Sequence, residues 1–491
     1  MELWGKFLNL QADIRKINHA VALLVWDQQT YMPVGGTEAR AESLGYLETL
    51  AHTKIVSKEA SEILTALEYL SEDPEKGPLY RAAKRDYDHA VKIPTKLVEE
   101  MAKTSARAMT AWQEAKAKED FSLFENYLEK LVDLALQKAD ALGYSDEPYD
   151  ALLDSFEPGM TTKDVEVIFT KLKEALVPLV KEIVAKQGEK PAIFAQDYGE
   201  KGQWDIGIKA LHEMGFDFDC GRQDYSVHPF TISFDPQDVR ITTKIDPRSF
   251  PGSLFSSMHE GGHALYEQGI PKEWRNLAIG SAASLATHES QSRLWENIVG
   301  HSRGYLSHLW PELQKTFPNQ LNKVDFNTFY SAINWVEPSL IRVDADEATY
   351  NLHIFLRFEI ERELLNGKIK VSQLPEAWNE KVESYLGIKV PSPSLGVLQD
   401  IHWSQGSIGY FPTYALGNVM ASQFYAKALK EQPSLSDSIA KGELLPLREW
   451  LRDKIHSQGA SLLPMELVEA VTGESLNVTP YLEYLKNKYL G

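Results

Sequence analysis

The chain has 491 residues, 43% hydrophobic and 25% charged, the balance of a globular protein with ample material for a core. Its 51 basic and 70 acidic residues give a net charge of -19, which argues against nucleic acid or an anionic membrane as partner, since both need clustered Lys and Arg. The single cysteine, Cys220, excludes an intrachain disulfide and a multi-thiolate metal site, and it fits a reducing cytoplasm.

The opening Met1-Glu2-Leu3-Trp4-Gly5-Lys6 has no basic stretch leading into an apolar run, so no signal peptide is expected. No segment approaches the roughly 18 apolar residues that span a bilayer. From Glu2 to about Leu70 apolar residues recur every three or four positions, interrupted by Tyr31-Met32-Pro33-Val34-Gly35-Gly36. Further helical stretches run from Leu79 to Lys92, Thr95 to Lys118 and Leu123 to Leu142, the last closed by Gly143 as C-cap. The turn Glu157-Pro158-Gly159-Met160 offers Thr161 or Thr162 as N-cap of a helix reaching about Lys186.

Tyr225 to Lys244 breaks the helical rhythm. It is rich in β-branched and aromatic residues around Asp235-Pro236-Gln237-Asp238, and it predicts a hairpin. Pro229 cannot donate to a ladder, which places its strand at an edge, where an extended peptide can add. Helices resume at about Ser253 and run, with loops near Pro271 and Pro318, to about Leu365. A loop region spans about Gly387 to Pro412, and helices then reach the C-terminus. With no repeat, low-complexity tract or linker, residues 1–491 read as one domain, a helical portion over about 1–220 followed by a sheet and metal-site portion over about 221–491.

The chemistry concentrates in His259-Glu260-Gly261-Gly262-His263. On a helix over Ser253 to Gln268 the two imidazoles share a face one turn apart, and Glu260 is turned by about 100° from them, positioned to take a proton from water. Glycines inside a helix cost about 1 kcal/mol each relative to alanine, so the Gly261-Gly262 pair implies that bulk is unwelcome there, as when substrate backbone passes close. A catalytic zinc takes three protein ligands and keeps one position open. Glu289 lies 26 residues after His263, enough for a loop and a returning helix, and completes a His-His-Glu set. Glu267, Glu273 and Glu296 are alternatives, and His288 and Gln291 are placed to orient ligands from behind.

Five segments in order then carry a resemblance: Asp238-Val239-Arg240-Ile241-Thr242, His259 to His263, His288-Glu289-Ser290-Gln291, Ile341-Arg342-Val343-Asp344-Ala345-Asp346, and Gly396 to Trp403. They match DxRxT, HExxH, HES/GQ, IRxxAD and GxxQDxHW, and the set resembles the M32 metallocarboxypeptidases. The opening Leu24-Val25-Trp26-Asp27-Gln28-Gln29-Thr30-Tyr31-Met32-Pro33 is similar to the start of that family as well. The resemblance implies a mainly α fold, two-lobed around a deep groove, with a small sheet beside the metal, as in neurolysin and angiotensin-converting enzyme. It also implies a homodimer that removes single C-terminal amino acids with broad specificity, using zinc, for which cobalt can substitute.

On that resemblance Glu260 is the general base, while Tyr414, with Tyr410 as second choice, donates to the tetrahedral oxyanion. His402 contacts substrate. A free C-terminal carboxylate calls for an arginine, whose fork makes two parallel hydrogen bonds. Arg342 in the IRxxAD match is the first candidate and Arg240 the second, the alternative for Arg342 being a buried ion pair with Asp344, Asp346 or Glu347. Asp346 is expected to support the site from behind, not to ligate. His228, ahead of Pro229, resembles an edge-strand residue that holds substrate backbone. The competing readings are an endo-oligopeptidase or dipeptidyl carboxypeptidase on the same scaffold, and a helical binding protein with a non-catalytic metal site.

Overall fold

In the computed structural model, which describes residues 2–491, the chain is mainly helical with one three-stranded sheet. It forms two compact units. Unit one comprises Met1–Val91, Lys190–Asn334 and Phe424–Ser475, and unit two comprises Lys92–Glu189, Trp335–Gln423 and Leu476–Gly491. The division expected near residue 220 falls inside the middle segment of unit one. Among the described residues no helix is long and apolar enough to cross a membrane.

Local signals set many of the helix ends. The interruption at Tyr31 to Gly36 separates helices Glu2–Thr30 and Thr37–Ile55. Thr161 caps the helix Thr162–Lys186 by accepting from the Asp164 amide, and Gly143 ends Ser122–Leu142 at φ 84°. In unit one a core of Phe7, Ile63, Leu64, Leu67, Leu79 and Tyr80 joins the first helix to its successors.

The expected hairpin is present as β2 (Thr231–Asp235) and β3 (Asp238–Thr243), antiparallel, with a register shift between Ser233 and Asp235. A further strand, β1 (Gly221–Tyr225), pairs parallel to β3, so the order is β1-β3-β2. The sequence reading does not anticipate β1, because Gly-Arg-Gln-Asp-Tyr shows no apolar alternation. β2 is an edge, and Pro229 lies just ahead of it, outside the ladder. The sheet and the opening motif meet: the Arg240 guanidinium sits 4.3 Å from the Trp26 ring centroid, and Tyr31 Oη donates to Asp224 Oδ1 at 2.5 Å.

The helix Phe250–Gly269 lies at the centre of unit one. Phe250, Leu254, Phe255, Met258, Ala264, Leu265 and Tyr266 bury it on several faces, as expected of a core helix. It packs on the helix Glu200–Met214, on β3 and on the helix Leu285–Arg293. The paired glycines correct the sequence reading here. A Cβ on Gly262 would lie 2.6 Å from the Gln291 carbonyl oxygen, and one on Gly261 would lie 2.6 Å from Leu211 Cδ2. Close packing on the Gln291 and Ser292 backbone requires Gly262, whereas a Cβ on Gly261 would meet only the flexible ends of Leu211 and Met214.

Candidate active site

The metal-capable cluster is built on two neighbouring helices of unit one. His259 and His263 project from Phe250–Gly269 one turn apart, and Glu289 projects from Leu285–Arg293, whose N-terminus is capped by Ser284 accepting from the Thr287 amide at 3.0 Å. Their ligand atoms lie within 4.8 Å of one another, the only such group of three among the described residues. Glu289 Oε2 is 3.3 Å from His263 Nε2 and 3.7 Å from His259 Nε2. Both Nε2 atoms therefore face the carboxylate, and each Nδ1 is engaged elsewhere.

Those outer contacts fix the tautomers. His259 Nδ1 donates to Glu296 Oε2 at 2.8 Å. His263 Nδ1 stands 2.5 Å from His288 Nδ1, and His288 Nε2 lies 2.9 Å from Glu267 Oε1. A hydrogen on His263 Nδ1 passed toward His288, and one on His288 Nε2 passed toward Glu267, leaves a lone pair on His263 Nε2. Glu296 lies on a π-helical turn, Leu294–Gly300, that continues the Glu289 helix with a wider register. Arg293 Nε donates to Glu289 Oε1 at 2.8 Å, and its Nη1 reaches Glu296 at 3.3 Å. Glu289 thus presents Oε2 to the imidazoles while the guanidinium holds its other oxygen.

The donor set suits a divalent cation. Arg293 is shared between the Glu289 and Glu296 carboxylates, Glu260 is buried within their field, and unpaired buried charge is costly. Burial disfavours a charge on His259, yet Glu289 and Glu296 raise it to about 9. Burial and His288 lower His263 to about 3. Despite burial, Arg293 and His259 hold Glu289 well below the usual carboxylate range. A dication bound by the two Nε2 atoms and Glu289 supplies the positive charge that a proton on His259 otherwise carries. Glu260 is buried, its pKa is raised by that burial, and Thr231 Oγ1 on β2 donates to its Oε2 at 2.7 Å.

The other expected residues fall in several places. Gln291 turns away from the ligands: its Oε1 is 2.8 Å from Nε2 of the buried His456, and its Nε2 donates to Ser290 Oγ at 3.0 Å. Arg240 pairs with Asp238 at 2.9 and 3.0 Å. His228 sits in an exposed bend between β1 and β2, where its carbonyl accepts from Ser226 Oγ. Sequence reasoning passed over Arg293 and Thr231. Arg293 stands four residues after Glu289, a helical pair visible in advance; Thr231 left no local signal.

In unit two, Arg342 is buried, and its ion-pair partner is Asp400 instead of Asp344, Asp346 or Glu347. Nε donates to Asp400 Oδ1 at 2.9 Å, and Nη1 donates to Tyr350 Oη at 2.8 Å. Arg357 holds the other Asp400 oxygen, with Nε at 2.7 Å from Oδ2. Asp346 stabilises the start of the helix Tyr350–Leu365: Oδ1 accepts from the Ala348 and Thr349 amides, and Oδ2 accepts from Thr349 Oγ1 and the Glu337 amide. Tyr414 opens the helix Pro412–Glu431, with its hydroxyl 3.2 Å from His402 Nε2 and its ring 4.9 Å from the Arg342 guanidinium carbon. Tyr410 packs edge-on to Tyr414 at 5.3 Å. Burial lowers His402 to about 4, so its ring is neutral near pH 7.

A helical protein whose HExxH segment and following glutamate gather in this way has a site of the metallopeptidase class. The Carboxypeptidase Taq (M32) metallopeptidase family matches residues 6–489, and the chain belongs to that family: it is a metallocarboxypeptidase. It is 40% identical over 490 residues to Carboxypeptidase 1 of Bacillus subtilis, covering 99% of this chain and 97% of that protein. It is also 40% identical to Thermostable carboxypeptidase 1 of Thermus thermophilus over 501 residues, 99% of this chain and 98% of that protein. Among solved structures, an M32 carboxypeptidase from Deinococcus radiodurans superposes with a TM-score of 0.97 at 38% identity, covering 100% of this chain and 99% of that one. Trypanosoma cruzi metallocarboxypeptidase 1 gives a TM-score of 0.95 at 33% identity over 100% of both chains.

Proposed function

We propose that the protein releases single amino acids from the free C-termini of peptides, with broad specificity, and that its ion is zinc, replaceable by cobalt. The observation that carries this reading is the convergence of His259 Nε2, His263 Nε2 and Glu289 beside the buried Glu260. A His-His-Glu donor set is one that zinc favours in hydrolases. A bound divalent cation supplies Lewis acidity toward the scissile carbonyl and the attacking water. Glu260 takes the proton of that water and returns it to the leaving amine, and burial, which raises its pKa, makes it the better proton acceptor. The Thr231 hydroxyl fixes the Glu260 carboxylate in one orientation.

Recognition is assigned to Arg342 for the substrate carboxylate, with Arg240 second. The Asp400 and Tyr350 bonds hold the Arg342 fork in one pose and leave a cation shared among few acceptors. Tyr414, with Tyr410 second, donates to the oxyanion. The neutral His402 contacts substrate and bonds the Tyr414 hydroxyl, and His228 holds substrate backbone. His288 supports His263 directly, Asp346 stabilises the start of the helix that carries Tyr350, and Gln291 acts through its backbone, packed against Gly262. The scarcity of cysteine supports a cytoplasmic location, and family membership supports a homodimer, which sedimentation measures directly.

Two measurements test the reading. Glu260→Gln should keep one metal per chain and lose about 10²- to 10⁴-fold in kcat; retained turnover defeats the general-base assignment. A peptide with an amidated C-terminus should be cleaved far more slowly than its free acid. Equal rates point to an endo-oligopeptidase, and release of dipeptides points to a dipeptidyl carboxypeptidase.

A further inference from the structure

Glu361 has 1% of its surface exposed and takes no part in the chemistry above. It projects from the helix Tyr350–Leu365 in unit two, and three donors from two separate segments converge on its carboxylate. Trp403 Nε1 donates to Oε1 at 2.9 Å, the Gly409 amide donates to Oε2 at 3.1 Å, and Tyr149 Oη donates to Oε2 at 2.8 Å. Two of these donors lie in the segment from His402 to Tyr414, one at its start and one in its middle. Gly409 has φ 94°, and a Cβ there would lie 2.9 Å from the Leu152 carbonyl carbon. Only glycine lets the backbone turn its amide inward at that point.

The end of the segment is held in a similar way: Thr413 Oγ1 donates to Oε1 of the fully buried Glu157 at 2.9 Å. Between the anchors, the ring of Phe156 packs edge-on to Tyr410 at 5.2 Å. An indole N–H and a backbone N–H can only donate, so the residue facing them must be all acceptor. Glutamine presents an amide donor to at least one of them. Burying a carboxylate is costly: burial pushes Glu361 up to about 7 although the bonds from Trp403, Tyr149 and the Gly409 amide pull it down, so its ionised form depends on those bonds.

We propose that Glu361 is a positioning residue for the reaction, tying the segment that carries His402, Tyr410 and Tyr414 to the helix whose Tyr350 and Arg357 also hold Arg342 and Asp400. The functional half of this inference rests on the reading that the segment serves the substrate. In the full-length, zinc-loaded protein, Glu361→Gln should speed amide hydrogen exchange at residues 402–414 by at least about tenfold, with exchange elsewhere unchanged. The same variant should retain one zinc per chain, raise KM for a free-acid peptide and lower kcat by about tenfold or more. A general loss of folded protein lowers kcat alone and leaves KM where it was. Tyr149→Phe removes one bond and keeps the ring, so it should give a smaller effect in the same direction; it decides the matter if Glu361→Gln does not fold. Unchanged exchange at 402–414 overturns the tether. Faster exchange with unchanged kcat and KM leaves the tether standing, and overturns the role of the segment in the reaction.

Discussion

Replacing Asp400 with asparagine removes the one carboxylate that two buried arginines share. Arg342 reaches Oδ1 through Nε and Nη2, both at 2.9 Å, and Arg357, with 0% of its side chain exposed, reaches Oδ2 through Nε at 2.7 Å and Nη2 at 2.5 Å. The trio already has an excess positive charge. The substitution leaves both guanidiniums uncompensated and turns an amide donor toward one of them. Removing one partner of a buried pair costs about 3–5 kcal/mol. Unit two holds roughly 200 residues, a size at which 1 kcal/mol moves a melting temperature by about 2–4 °C. The calorimetric transition of unit two should therefore fall by on the order of 10 °C. Arg357→Met in the Asp400→Asn background removes the second cation, and the double variant should be no less stable than Asp400→Asn alone. Burial opposes ionisation of Asp400, yet Arg357 and Arg342 hold its carboxyl well below the usual range. Its stabilisation is thus complete above about pH 4 and is lost as pH falls further, so parent and variant should converge only in acid. A melting shift of less than about 2 °C at pH 7 refutes the argument.

Glu296→Gln weakens the acceptor behind His259, and competition with a chelator should show metal affinity lower by about 10- to 100-fold; unchanged affinity means Glu296 does not tune the ligand. Chelation of the holoprotein should lower the melting temperature of unit one more than that of unit two, since a ligand at 100 times its Kd stabilises by about 2.7 kcal/mol; equal shifts argue against a metal held by His259, His263 and Glu289. Burial lowers His353 and His456 each to about 3, below the 6.5 of a free imidazole, so between those values the unfolded chain binds more protons. Stability should hold above pH 6.5 and decline as pH drops toward 3, by a few kcal/mol in total by about pH 4; thermal melts that stay flat from pH 7 to pH 4 contradict buried neutral rings.

What sequence reading reaches is governed by range along the chain. Thr161 and Gly143 are legible as caps because capping is decided within four residues. His259 and His263 share a face by helical geometry alone, and Glu289 is the nearest glutamate on a returning helix. β1 escaped because a short parallel strand is defined by its neighbour and not by its own pattern. Arg342 shows the limit most clearly. A buried ion pair was foreseeable, but its partner stands 58 residues away and is shared with Arg357. Gly262 shows the same limit in reverse, since the sequence reveals that a side chain is excluded but not that the Gln291 and Ser292 backbone excludes it.

The sequence by itself determined the reaction class, because a metal-ligand pair with its base is a local helical arrangement and five motifs in order specify the family. Only the tertiary structure decided which nitrogen of each histidine faces inward, which carboxylate backs it, and what holds the segment from His402 to Tyr414. Those depend on side chains brought within 3 Å of one another from distant parts of the chain, and a hydrogen bond at that distance has no counterpart in linear spacing.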